Sequence, residues 1–238
     1  MKHCFILTSA INTRFGVYTA EQRLQQTLGT IGSIRAKVPT AKIVWVEMAG
    51  IPLTEEQSSI IVNSCDILLD FTDEPAVLSL YNGTDNWDVV KNGTEIMAFG
   101  AALKMLQSDG EFIGIDRVHK ISGRYTINAM FDPLLYAQDN IVDKIVISSK
   151  RPSQFPRHIT EQRAQYMSRL WSWPASILCE IIEFYDAAMD DFSTTVNAGL
   201  YIDIEHLLCK LLPSSSIHEC ENIGIEGNIG PNGTKVND

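Results

Sequence analysis

Short apolar runs alternating with helix-length amphipathic stretches constrain this chain's fold more than any other feature. His3–Thr8 (HCFILT), Lys42–Met48 (KIVWVEM) and Asp66–Phe71 (DILLDF) have the length and composition of buried strands. Between the first two, Thr19 with Gln22 forms a capping-box pattern, and Leu24, Leu28, Ile31, Ile34 and Val38 follow at helical spacing. Pro39 closes that helix, and Thr54 with Gln57 opens a shorter one through Val62. Ile96, Phe99, Leu103 and Leu106 mark a further helix, and Arg117–Tyr125 and Lys144–Ser149 two further strands. Such alternation predicts an α/β fold, a mainly parallel sheet with helices on both faces and right-handed crossovers.

Ligands of such sheets bind beyond the carboxyl ends of the strands. That rule sets Thr8-Ser9-Ala10, Glu47, Asp70 and Gly123-Arg124-Tyr125 on one rim. The second half is less regular. Ser172-Trp173-Pro174 reads as the lead into a helix carrying Ile177, Ile181, Phe184 and Ala188, with 190–204 connecting it to a short amphipathic helix, Glu205–Leu212. The tail from Ser214 reads as loop or a small hairpin. No internal repeat or linker interrupts the 238 residues, so one domain is expected.

Nineteen Lys and Arg against 29 Asp and Glu give a net charge of −10, which excludes a general phosphate-backbone binder and so a nucleic-acid partner. A single local basic pocket remains compatible with that balance. No apolar run is long enough for a transmembrane helix, and the apolar stretch at the start is too short for a signal peptide, so a cytoplasmic protein is expected. Five cysteines without a CxxC read as free thiols. The Asn-Gly-Thr triplets at Asn82, Asn92 and Asn232 read as turns.

The loop after the first strand, Thr8 to Thr13, has no GxGxxG, which argues against a nicotinamide site. There is no GxxxxGK[ST], no GxSxG and no histidine spacing of a metal ligand set.

Three segments carry a positive resemblance: ILTS with Arg23, Thr27 and Thr30 through PTAKIVWVE; Lys91-Asn92-Gly93-Thr94-Glu95 ahead of a helix; and Lys120-Ile121-Ser122-Gly123-Arg124-Tyr125. Together they resemble virus- and bacteria-encoded nucleotide-sugar glycosyltransferases of the Rossmann-like GT-A fold. The resemblance covers about residues 3–150 and more faintly 195–230. It implies a nucleotide-binding half, 1–125, and an acceptor-side half, 126–238. It also implies a UDP- or GDP-sugar donor and a glycan or lipid-linked acceptor. Thr8, Ser9 and Ala10 would meet the nucleoside, Glu47 and Asp70 the ribose or base, and Lys91 and Arg124 the diphosphate. Arg23, Glu95, Ser122, Gly123 and Tyr125 complete the donor set. Many GT-A enzymes carry Asp-x-Asp after the fourth strand, holding Mn2+ or Mg2+; here the position reads Ser122-Gly123-Arg124, which leaves the metal open.

Each of these residues also has an ordinary reading. Arg124 could be a surface ion-pair partner, and Lys91 and Glu95, four apart, an i,i+4 pair at a helix start. Arg23 could lie on a solvated face, and Glu47 or Asp70 could cap a neighbouring helix. Glu205, with Asp203 next, is the candidate base that an inverting transfer needs; the alternative is an acid favoured by a helix dipole. Trp171 and Trp173 are candidates for stacking on an acceptor sugar, or core residues. The rival functions are a sugar nucleotidyltransferase, which the glycine-poor loop after the first strand disfavours, and a catalytically inactive glycan-binding or structural protein.

Overall fold

The computed structural model describes residues 1–229 and 233–238. The chain opens with β1 (His3–Ser9), α1 (Ala20–Lys37), β2 (Lys42–Glu47), α2 (Glu55–Val62) and β3 (Ile67–Asp70). Both capping boxes form: the side chains of Thr19 and Thr54 accept from the backbone N–H of Gln22 and Gln57, whose own side chains return to the cap residues. Next come α3 (Pro75–Gly83), α4 (Trp87–Ser108), β4 (Arg117–Ser122), β5 (Tyr125–Ile127) and β6 (Ile145–Ser148). A two-residue pair, β7 (Arg151–Pro152) and β8 (Ala164–Gln165), flanks α5 (Arg157–Thr160). The chain ends with β9 (Leu170–Pro174), α6 (Leu178–Asn197), α7 (Ile204–Leu211), β10 (Ile217–Cys220), β11 (Ile225–Asn228) and β12 (Lys235–Asn237).

Seven strands form one sheet in the order β10-β6-β9-β4-β1-β2-β3. All of its pairings are parallel except those of β9, which runs antiparallel to both β4 and β6. A smaller antiparallel sheet, β12-β11-β5, stands beside it. Strands from both halves of the chain thus share the main sheet. Each face has its own core. Phe99, Leu103, Tyr185 and Leu208, from α4, α6 and α7, cover one face; Leu24, Ile31, Ile34 and Ile61, from α1 and α2, cover the other.

Several expectations need correction. Leu170–Pro174 is a strand in the middle of the sheet, and both tryptophans lie on its buried side. The segment 190–204 is largely helix, because α6 runs on to Asn197. Lys91 to Glu95 lie inside α4, beginning its second turn, and Asn92 there is buried and no turn. Asn82 lies in the last turn of α3 and is no turn residue, and Asn232 lies outside the described residues. The tail supplies β10 to the main sheet as well as a hairpin. All five cysteines are free. Among the described residues no helix is long and apolar enough to cross a membrane.

Candidate active site

The parallel register aligns the ends of four strands. Ser9 faces Glu47, Glu47 faces Asp70, and Thr8 faces Ser122 across the sheet. Beyond this edge opens a cleft of about 890 Å³ including its solvent-facing mouth. Among the described residues, all those lining it lie between Thr8 and Arg124. Thr8, Ser9 and Ala10 make the floor, and Ser122, Gly123 and Arg124 the back. The wall is the face of α4 that carries Trp87, Lys91 and Glu95 at successive i,i+4 positions.

Glu47 builds the loop over the floor. It is fully buried and does not line the cleft. One oxygen accepts from the Ser9 hydroxyl and the other from the Ile11 N–H at 2.8 Å. The Trp45 indole N–H donates to the Ser9 oxygen at 2.7 Å. Burial pushes the Glu47 carboxyl upward, opposed by these hydrogen bonds. Arg23, 6% exposed, secures the same loop from α1: its guanidinium donates to the carbonyls of Phe15 at 2.6 Å, Tyr18 at 3.2 Å and Ala10 at 3.5 Å. It therefore folds onto the loop and lines the cleft instead of lying on a solvated face. Arg14 holds the loop's outer end, stacked on Phe15 and Tyr81 and donating to the Tyr81 carbonyl at 2.8 Å.

Glu95 does not pair with Lys91. Its carboxylate meets Lys120 of β4 at 2.5 Å, and both groups are buried. Lys120 also donates to the Ser122 hydroxyl and the Ser168 carbonyl, each at 3.0 Å. Burial pushes the Glu95 carboxyl up, but the Lys120 and Lys91 charges outweigh it and hold the group below its usual range. Lys91 is left without an ion-pair partner among the described residues, and so is Arg124, whose Nε is buried and unbonded.

No sequence-family model matches the chain, and no curated protein matches it in sequence. Solved structures do match in shape. The galactosyltransferase LgtC, in complex with donor and acceptor sugar analogs, aligns with a TM-score of 0.52 at 11% identity, over 91% of this chain and 73% of its own. Mouse xyloside xylosyltransferase 1, in its apo form, aligns with a TM-score of 0.52 at 10% identity, over 92% of this chain and 85% of its own. The chain has the GT-A glycosyltransferase fold.

Within the GT-A frame the remaining expected residues separate clearly. Asp70 stands at the rim but outside the cleft, exposed, with its carboxylate accepting from the Thr72 N–H at 2.9 Å. Tyr125 is buried on β5 with the Arg169 guanidinium over its ring. Asp203 caps α7, accepting from the His206 N–H at 2.9 Å and lying 2.7 Å from His206 Nδ1. Glu205 accepts from Gln165 Nε2 at 3.0 Å and from the Ser168 N–H and hydroxyl at 3.3 Å, so it too lies outside the cleft lining. Burial, and then the Asp203 charge, raise the Glu205 carboxyl. Trp171 and Trp173 have no exposed surface, which removes them as acceptor platforms: period-2 spacing turns both indoles into the same core.

The GT-A frame implies a divalent cation after the fourth strand, and the residues here do not fit one. That position ends in Arg124, and Glu95, the one carboxylate among the described residues lining the cleft, is engaged by Lys120. Among the described residues no group of three His, Cys, Asp or Glu is placed to hold a metal ion. Tyr81 and Trp87 are lining residues that sequence reading missed. Pro75 at the first position of α3 was a readable start for the helix that carries Tyr81. Trp87 opens α4, ahead of the periodic apolar residues from Ile96 that mark this helix in the sequence.

Proposed function

We propose that this protein is a glycosyltransferase that moves a sugar from a nucleoside diphosphate, UDP or GDP, to a hydroxyl of a glycan or lipid-linked acceptor. One observation carries the reading. In a GT-A frame, the cleft at the strand ends presents Lys91 and Arg124 without ion-pair partners, facing a loop that Glu47 and Arg23 hold in shape. The nucleoside would lie against that loop and the Tyr81 ring. As the bond from the anomeric carbon to the diphosphate oxygen breaks, negative charge collects on the departing phosphate. Cations fixed in place before the reaction lower the barrier without reorganising. The half 1–125 would then bind the donor and 126–238 the acceptor. An inverting transfer also needs a base for the acceptor hydroxyl; the two candidates, Glu205 and Asp203, both lie outside the cleft lining, held by Gln165 and Ser168 and by His206, so neither is assigned that role.

The test is a saturation-transfer screen of UDP-, GDP- and CDP-sugars, followed by assay of nucleoside diphosphate release. We expect at least one donor to bind and to turn over. Arg124→Ala should cut turnover by about a hundredfold, as loss of one charge-stabilising donor does, with the circular dichroism spectrum unchanged. Absence of binding by every donor overturns the assignment. Binding with no release, even with acceptors added, favours an inactive nucleotide-sugar-binding protein.

A further inference from the structure

We infer that the donor's diphosphate is held by this chain's own cations, Arg23, Lys91 and Arg124, in the place where a divalent metal ion would be expected. This rests on the glycosyltransferase reading and adds the identity of the phosphate's counter-charge. Arg124 stands at a fixed point. The Gly123 N–H donates to the Thr8 carbonyl at 2.9 Å, and the Arg124 N–H to the Ser122 carbonyl at 2.8 Å, so the turn is bonded to the cleft floor. Gly123 runs so close to α1 that a Cβ there would lie 2.7 Å from Thr27 Oγ1. Arg124 then projects from a turn whose backbone is bonded in place, and its buried Nε–H has no acceptor among the described residues. A buried, unmet guanidinium donor is costly, and an anion in the cleft would satisfy it.

The other cations point the same way. Arg23 spends its donors on loop carbonyls and keeps its charge beside the cleft. Burial first, and then the Arg124 charge, lower its affinity for the proton, as expected of two guanidinium groups that share one space. The nearby acid, Glu47, has its oxygens occupied by Ser9 and Ile11. Lys91 lines the same cleft from α4. Three positive groups therefore border a cleft whose one lining carboxylate is already neutralised by Lys120. A divalent cation entering here would meet like charge and, among the described lining residues, no free carboxylate, whereas a diphosphate would meet complementary charge.

Calorimetric titration of the full chain with UDP, GDP and CDP, in EDTA and again with Mn2+, tests this. For the nucleotide that binds, we expect Kd in EDTA to lie within threefold of Kd with Mn2+. Arg124→Gln and Lys91→Met should each weaken it tenfold or more in both buffers, with melting temperatures unchanged. A threefold or greater tightening by Mn2+ overturns the inference and leaves the glycosyltransferase reading standing. Binding in EDTA that neither variant weakens also overturns it. Absence of binding in both buffers overturns both.

Discussion

His3 and His119 face each other under the β1–β4 pair, with His3 Nδ1 and His119 Nε2 2.9 Å apart and the His119 ring stacked on Phe5 at 4.2 Å. Burial above all, with the Arg117 charge adding to it, lowers His3 from 6.5 to about 4 and His119 well below its usual value. The sign follows directly. Between those values the unfolded chain binds a proton that the folded chain refuses, so stability is full above pH 6.5 and falls as pH drops toward 4. For one such group the loss runs at ~1.4 kcal/mol per pH unit. Melting temperatures measured from pH 7 to 4.5 should fall, and His3→Asn, which keeps a hydrogen-bonding partner for His119 without titrating, should flatten that fall. An equal fall in the variant would place the acid sensitivity elsewhere. At this scale the sequence was a partial guide. Glu47 was readable as a strand-end acid, but its task of folding the neighbouring loop depends on Ser9 and Ile11, some 36–38 residues earlier.

Among the elements, those with local signals were readable and those set by packing were not. Capping boxes fix the starts of α1 and α2 because the cap and its partner are three residues apart. The strand β9 gives no such cue. Trp171-Ser172-Trp173 before a proline resembles a helix lead-in until pairing with β4 and β6 makes it a central strand. Lys91 and Glu95 have the spacing of a helical pair, yet Glu95 is drawn to Lys120 on the sheet beneath because both are buried there. The contact between the Gly123 turn and α1 carries a prediction. Gly123→Ala would drive a methyl group into buried Thr27, at 2.7–3.2 Å from its side-chain atoms, and overpacking of this kind costs about 1–3 kcal/mol. Thr27→Ala in the same chain removes the colliding atoms. Urea denaturation should therefore show the double variant to be more stable than Gly123→Ala alone; additive losses would refute the steric account.

Across the whole molecule, the two cores are separated by one sheet to which both halves of the chain contribute. If the 238 residues form one domain, as we propose, the faces should unfold together. Trp45 reports on one face, and Trp171 with Trp173 on the other. In a Trp87→Phe background, urea transitions followed by fluorescence of Trp45→Phe, by fluorescence of the double variant Trp171→Phe/Trp173→Phe, and by far-ultraviolet circular dichroism should give within each variant coincident fluorescence and dichroism curves. Fluorescence running ahead of dichroism would divide the molecule. The net charge of −10 gains meaning at this scale too: the acidic excess lies outside the cleft's lining, where Arg23, Lys91 and Arg124 gather. By itself the sequence determined the alternation of strand and helix, the mainly parallel sheet and the rim at which the strand ends meet, because strand and helix periodicity and capping act over a few residues. Only the tertiary structure decided which charges share the cleft. Those three cations lie on α1, α4 and the turn after β4, and burial and strand register, properties of the whole sheet, bring them together while assigning Glu95 to Lys120 and the tryptophans to the core.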